Sequence, residues 1–253
     1  MFRMLKLRPP NGWQAVAWEL AIVTLGVLIA LGAQQWAEAR SWRAKASAAR
    51  AALRTELADH HDYAVEWRIV APCINAQLDA AERRILTSGS RLDPAPLYAE
   101  DYYDEDPYPF AIRTPSRPWG DSVWQATNAG GVSSYLSDDE RLELGTHYEQ
   151  ANIMDAQDKR IAQLAFKLTV MAKPIDLDPG VKMALLQQVG ELRGHNGWMI
   201  FRAGQQVEDI VKLGMVPPLK ETEEFLARSG TVKFCREQGH PMLPLAKALI
   251  PAP

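Results

Sequence analysis

The sequence predicts an all-α chain: one N-terminal transmembrane helix running on into a long stalk helix, then an antiparallel helical bundle with a Pro-, Tyr- and acid-rich loop. Three observations predict it. A nearly uncharged apolar run, WELAIVTLGVLIALGAQQW, occupies Trp18–Trp36. Between Ala33 and Val70 neither Gly nor Pro interrupts a stretch dominated by Ala, Arg, Glu and Leu, residues that favour helix. No run of alternating apolar and polar residues marks a strand. The expected organisation is a short basic tail over 1–14, the span over 15–36, the stalk and bundle over 37–229, and a C-terminal tail packed on the bundle over 230–253.

From Ala15 to Ala33 the one formal charge is Glu19. At helical rise this run covers roughly 28 Å, near the hydrocarbon thickness of a bilayer. Trp13, Trp18 and Trp36 stand near its ends, where indoles favour the headgroup region. A retained anchor competes with a cleaved signal peptide, for which Ala30-Leu31-Gly32 offers a small-x-small site, and with the buried core helix of a soluble protein. The helical pattern continuing past Gln35 favours the anchor. Gly26, Ala30, Ala33 and Ala37, continued by Ala44 and Ala48, line one side with small residues, and Glu19 falls on the same side. Such a face lets a second helix approach closely in lipid, so Glu19, Gly26, Ala30, Ala33 and Ala37 are the candidate helix–helix interface. An Ala-rich helix with an interfacial Glu is the plainer alternative.

The spacing of Glu19, Gly26, Ile29, Ala30, Leu31, Trp36 and Glu38 resembles an uncharacterised family of bacterial single-span membrane proteins, with the signature E-x-x-x-x-x-x-G-x-x-I-A-L-x-x-x-x-W-x-E. Gln34 and Gln35 stand where that family usually carries Asn-Asn, and Trp18 replaces its usual Gly. A looser echo lies at Ser122–Tyr148: an aromatic, a small-residue turn with Gly, a short acidic segment and a Tyr. The resemblance implies an N-terminal anchor and a helical domain, and it supplies no catalytic residue.

After the anchor, Trp42, Ala46, Ala49, Leu53, Leu57, Ala64 and Trp67 form a broken apolar stripe. Pro72 is expected to kink or end this helix, with a second piece from Cys73 to Leu86 stopped by Ser88-Gly89. Residues 90–118 carry six prolines, Pro94, Pro96, Pro107, Pro109, Pro115 and Pro118, which forbid long regular structure. Among them Glu100, Asp101, Asp104, Glu105 and Asp106 alternate with Tyr98, Tyr102, Tyr103 and Tyr108. A solvated acidic loop is the default. Calcium is the alternative, but the ordered spacing and Gly of a known calcium loop are missing.

A short helix is expected over Trp119–Asn128, stopped by Gly130-Gly131. Ser137-Asp138-Asp139-Glu140 is a capping-box pattern opening a helix toward Lys173, with Leu142, Leu144, Tyr148, Ile153, Ile161, Leu164, Ala165 and Leu168 as its apolar positions. Asp178-Pro179 starts the next helix, which buries Val181, Leu185, Leu186 and Val189. Gly190, Gly194 and Gly197 predict a break near 194–197, with the helix resuming to Leu213. Leu219–Ser229 is a last amphipathic segment.

The two cysteines, Cys73 and Cys235, lie far apart and in no metal-ligand spacing. In an exported domain such a pair suggests a disulfide closing a very long loop, and in a cytosolic fold two buried thiols. The flanking charges, Arg3, Lys6 and Arg8 before the span and Arg40, Arg43, Lys45 and Arg50 after it, lean against export. Long domains translocate regardless, so the expected placement is the bacterial inner membrane with a cytoplasmic N-terminus and a periplasmic domain.

Positive and negative charges nearly balance, at a formal net charge of −3, which argues against nucleic acid as a partner. Glu56 with His60, and Glu143 with His147, are spaced four apart and lack the Glu-x-x-His pattern of di-metal bundles, so they read as surface ion pairs. Nucleophile elbows, zinc-protease motifs and phosphate loops are missing, and His195, Asn196 and Ser229 have no identifiable partners. The expectation is therefore a non-enzymatic interaction or scaffolding module without metal or cofactor. Its partners would be the bilayer and either a second copy or another envelope protein. A ligand-sensing bundle coupled to a partner protein is the alternative, and an enzyme using the acidic loop comes third.

Overall fold

The computed structural model describes residues 12–95 and 111–250. The basic tail with Arg3, Lys6 and Arg8 and the tyrosine- and acid-rich core of the loop lie outside the described residues. Within them the chain is all-α, and the two strands, β1 (Arg91–Leu92) and β2 (Ile175–Asp176), form a single two-residue antiparallel pairing.

Helix α1 runs unbroken from Gly12 to Thr87, 76 residues with Pro72 inside it. The expected kink or end at Pro72 does not divide the helix. Proline has no N–H for the Arg68 carbonyl and crowds the turn before it, and the C-terminal tail is fastened to α1 at the same level. The Ile69 carbonyl accepts the Leu243 N–H at 2.9 Å, and the Arg68 guanidinium donates to the Ala248 carbonyl at 2.7 Å. Burial of Trp67, Val70, Ile74 and Leu78 on both sides of the proline holds the axis together.

The N-terminal part of α1 holds a stretch long and apolar enough to cross a membrane by length and composition, and no residue of that stretch is buried. Packing starts at Trp42, whose indole stacks on Tyr135 at 4.8 Å. The expected stalk is thus short, because α1 is covered by the bundle almost throughout the rest of its length.

Helices α2 (Ser122–Ala129) and α3 (Asp138–Lys167) follow, α3 prolonged by a 3-10 turn over Leu168–Ala172 instead of continuing as α-helix toward Lys173. Ser137 caps α3 by accepting the Glu140 N–H, and the Ser137 N–H in turn helps hold the Glu140 carboxylate below its ordinary value, behind the larger effect of Arg50. That carboxylate takes a two-pronged contact from Arg50, Nε at 2.8 Å and Nη2 at 2.8 Å, fastening α3 to α1. Of the expected apolar positions on α3, Leu142 and Ile153 face solvent.

Helix α4 (Pro179–Lys212) is continuous, so the expected break near 194–197 is absent. Gly190, Gly194 and Gly197 lie on its solvent side, with nothing within 4 Å of where a Cβ would stand. Each glycine costs about 1 kcal/mol in a helix interior. Burial of Leu192, Met199, Ala203 and Val207 on the other face outweighs that. Asp178 caps α4, accepting the N–H groups of Gly180 and Val181 at 2.7 and 2.9 Å. Replacing Asp178 with alanine is expected to cost about 1 kcal/mol, seen as a melting point lower by roughly 2–4 °C. Helices α5 (Leu219–Arg228), α6 (Gly230–Glu237) and α7 (Leu245–Ala248) complete the fold.

The bundle is not uniformly antiparallel. Helix α4 runs antiparallel to α1, its Arg193 meeting Asp79 and Glu82 while Ile210 packs near Leu53 and Leu57. Helix α3 runs parallel to α1: Glu140 meets Arg50, and His147 farther along meets His60. The reason is the proline-rich connection after α1. Its described part brings Arg113 to Gln77, Arg117 to Glu66 and Val123 to Glu56, so the chain descends alongside α1 before α3 begins.

Candidate functional site

One stretch of α1 carries a polar series, Glu56, His60, His61, Asp62 and Glu66, of which all but Glu56 are buried. Glu56 and His60 stand one turn apart, as do Asp62 and Glu66, and α2, α3, α5 and α6 close over them.

At the near end, Glu56 accepts the Tyr148 hydroxyl at 2.7 Å, the Ser122 hydroxyl at 3.2 Å and the Val123 N–H at 3.1 Å. It caps α2 from outside the helix, while Asp121, the local cap residue, instead takes the amides of Gln125 and Asn152. His60 and His147 meet with Nδ1 and Nε2 3.0 Å apart, ringed by Trp119, Tyr63 and Tyr148. The surface ion pairs expected for these histidines are therefore overturned: both rings are buried, and each partners the other across α1 and α3. Burial pulls His60 down to about 4, against the opposing pull of Glu56, and holds His147 well below its ordinary value with His60 adding to the effect. One neutral imidazole donates and the other accepts, so the pair is a hydrogen bond and not a charge. Tyr148 is held far above the usual phenol value by burial and by its bond to Glu56.

At the far end, Glu66 is wholly buried and takes Arg117 Nε at 2.6 Å and Nη2 at 2.8 Å. The Ser229 hydroxyl also donates to Glu66 while its oxygen caps α6 by accepting the Val232 N–H. Asp62 accepts the Thr222 hydroxyl at 2.7 Å and faces His61 Nδ1 at 3.2 Å. Asp158 on α3 accepts the Arg117 N–H at 2.9 Å through one oxygen, and its other oxygen is buried without a partner. Burial pushes Asp158 up to about 7, the Arg117 N–H opposing and Asp155 and Glu66 adding to the rise.

Cys73 and Cys235 are joined by a disulfide, with Cα atoms 5.9 Å apart and a separation of 162 positions in sequence. It sits beside the Glu66 cluster and ties α6 to α1. Among the other residues named from the sequence, His195 meets Gln157 at 2.6 Å and Asn196 meets Asn75 at 3.2 Å, both as ties between helices. Glu19, Gly26, Ala30, Ala33 and Ala37 are all exposed, and none touches the bundle's polar series. Asp101, Asp104 and Asp106 lie outside the described residues. A cleft of about 250 Å³ lies elsewhere, lined by Gln77, Ala81, Arg84, Ile112, Met171 and His240 among others.

Glu56, Asp62 and Glu66 each accept from a neighbouring element, and among the described residues no three His, Cys, Asp or Glu side chains gather as a metal site. What the arrangement does chemically is hold the descending segment and the tail on α1. Asp158 gives this a pH signature. Its folded-state value lies above the usual 3.8, so the stability it contributes is complete below that value and is lost as pH rises through about 7. Asp158→Asn is expected to raise the melting point at pH 8 by roughly 5–10 °C more than it does at pH 5, where only the part of the penalty between 3.8 and 5 has accrued. The two histidines act with the opposite sign. Their stability is complete above the ordinary 6.5 and, for His60, is lost as pH falls through about 4. They contribute equally to parent and variant, so the difference in melting temperature isolates Asp158.

These features define a class: an all-α bundle with a disulfide-fastened tail, built onto one long helix whose N-terminal part is bare and apolar. Comparison of the chain with protein-family models, with curated proteins and with solved structures gives no match to any of them.

Proposed function

We propose that the chain is a single-pass protein of the bacterial inner membrane, with the N-terminus in the cytoplasm and the bundle in the periplasm. In this reading it works by contact, through self-association or with another envelope protein, and not by catalysis. The observation that carries it is the bare apolar stretch of α1, continuous with a well-packed bundle. A soluble core helix would have that surface covered. The Cys73–Cys235 disulfide suits an oxidising compartment, and the likeness of the first third of the chain to single-span bacterial proteins points the same way. The contact face proposed within the membrane is Glu19, Gly26, Ala30, Ala33 and Ala37.

Two measurements test this. Membranes washed with alkaline carbonate should retain the chain, and a compartment-sensitive reporter fused at Pro253 should be active on the periplasmic side alone; release into the wash or a cytoplasmic signal overturns the placement. After gentle solubilisation and cross-linking, a dimer or a stoichiometric complex is expected, weakened by Gly26→Leu, whereas monomer at every cross-linker concentration would refute function by contact. The cleft beside Gln77 and Arg84 favours a second reading, a ligand-sensing bundle whose signal a partner protein relays. A ligand-dependent melting shift abolished by Ala81→Trp would support it over the first.

A further inference from the structure

The lowest point of the bundle along α1 is the contact between Trp42 and the 3-10 turn Val132–Tyr135. Trp42 is six residues beyond Trp36, about 9 Å at helical rise. The headgroup layer beyond the hydrocarbon is roughly 5–7 Å thick on each side. Helix side chains lean toward the N-terminus, so those following Trp36 lean back toward the apolar stretch.

The residue types at this level are those of a membrane interface. The Tyr135 ring stacks on Trp42 nearly parallel to it, at an interplanar angle of 7°. Lys45 Nζ stands 4.3 Å from the Trp42 ring centre, and the Arg40 guanidinium 5.7 Å from that of Trp36. Arg40, Arg43 and Lys45 are exposed, with Glu38 the one acid between Trp36 and Arg50. Aromatic rings with a polar edge and cations on long stems suit a layer of phosphates over hydrocarbon. Of the acids that open α3, Glu140 is tied to Arg50, eight residues farther along α1 than Trp42, and Asp138 is paired with Arg141.

We propose that Trp42, Tyr135 and Lys45, with Arg40 and Arg43 beside them, form a collar that rests on phospholipid headgroups, so that the bundle sits directly on the membrane and is not held off on a free stalk. The collar binds lipid phosphate through its cations and seats its rings in the interfacial layer. This rests on the reading of α1 as a membrane span, and the test separates the two.

The full chain is reconstituted in vesicles of phosphatidylcholine and phosphatidylglycerol, and a nitroxide spin label is attached through Ser134→Cys at the turn, Leu25→Cys in the apolar stretch, or Leu86→Cys at the far end of α1. Cys73 and Cys235 are bonded and do not take the label. Collision with oxygen and with a water-soluble nickel complex reports depth. The expected result is a lipid-immersed label at 25, a freely nickel-accessible label at 86, and at least a threefold reduction of nickel access at 134 relative to 86. Charge reversal by Arg43→Glu with Lys45→Glu, or omission of phosphatidylglycerol, should restore access at 134 while the label at 25 stays immersed. Equal nickel access at 134 and 86, with 25 immersed, overturns the collar and leaves the span standing. Nickel access at 25 overturns both.

Discussion

Replacing Cys73 and Cys235 together by serine is expected to lower the melting temperature by roughly 4–20 °C. The bond closes a loop whose ends are 162 positions apart in sequence. The loop-entropy relation assigns such a closure about 5 kcal/mol, and native disulfides commonly return 2–5 kcal/mol. For a chain of this size each kcal/mol moves the melting point by roughly 2–4 °C. The tail has other fastenings, the Leu243 N–H on the Ile69 carbonyl, Arg68 on the Ala248 carbonyl and Thr222 on Asp62. The serine variant should therefore still fold, with α6 and α7 opening locally before the bundle melts. Limited proteolysis would show cleavage after Arg228 or Lys233 in the variant and protection in the parent. An unchanged melting curve together with an unchanged digest would show that the bond carries no stability.

Removing the Arg117 side chain is expected to have a comparable effect. Glu66 is wholly buried, and Arg117 supplies two N–H donors to it while lying over the ring of Phe225. Arg117→Met leaves a buried carboxylate without its counter-charge, which costs about 3–5 kcal/mol. Glu66→Met with Arg117→Met replaces the whole pair by apolar groups and is expected to recover most of the loss, because the desolvation of both charges disappears with their attraction. A double-mutant cycle in chemical denaturation measures the coupling. Additive losses from the two single variants would show that the pair does not act as a unit.

The helices were legible where periodicity and caps agree. Ser137 and Asp178 open α3 and α4 as their spacing implies, since a cap bonds to backbone within three residues of itself. Pro72 and the Gly190–Gly197 cluster misled for a shared reason. Local propensity expresses a preference of about 1–3 kcal/mol, and burial on the opposite face, together with the tail at Ile69, outweighs it. The polar series was harder to see. Its members are ordinary pairs on a helical wheel, and nothing within α1 signals that Ser229, Thr222, Arg117 and Tyr148 arrive from elsewhere in the chain. One clue was available: Glu56, His60, Asp62 and Glu66 interrupt a stretch otherwise rich in apolar side chains, and charges placed there need partners.

From its residues alone this chain determined an all-α class, a long apolar N-terminal helix and the starts of α3 and α4, because each depends on groups a few residues apart. Only the tertiary structure decided that α3 runs parallel to α1, that His60 and His147 face each other in the core, and that Glu66 is neutralised by Arg117. Those outcomes depend on where the proline-rich return and the tail come to rest. Side chains from distant segments must desolvate together for such contacts to form, and their spacing in sequence carries no record of it.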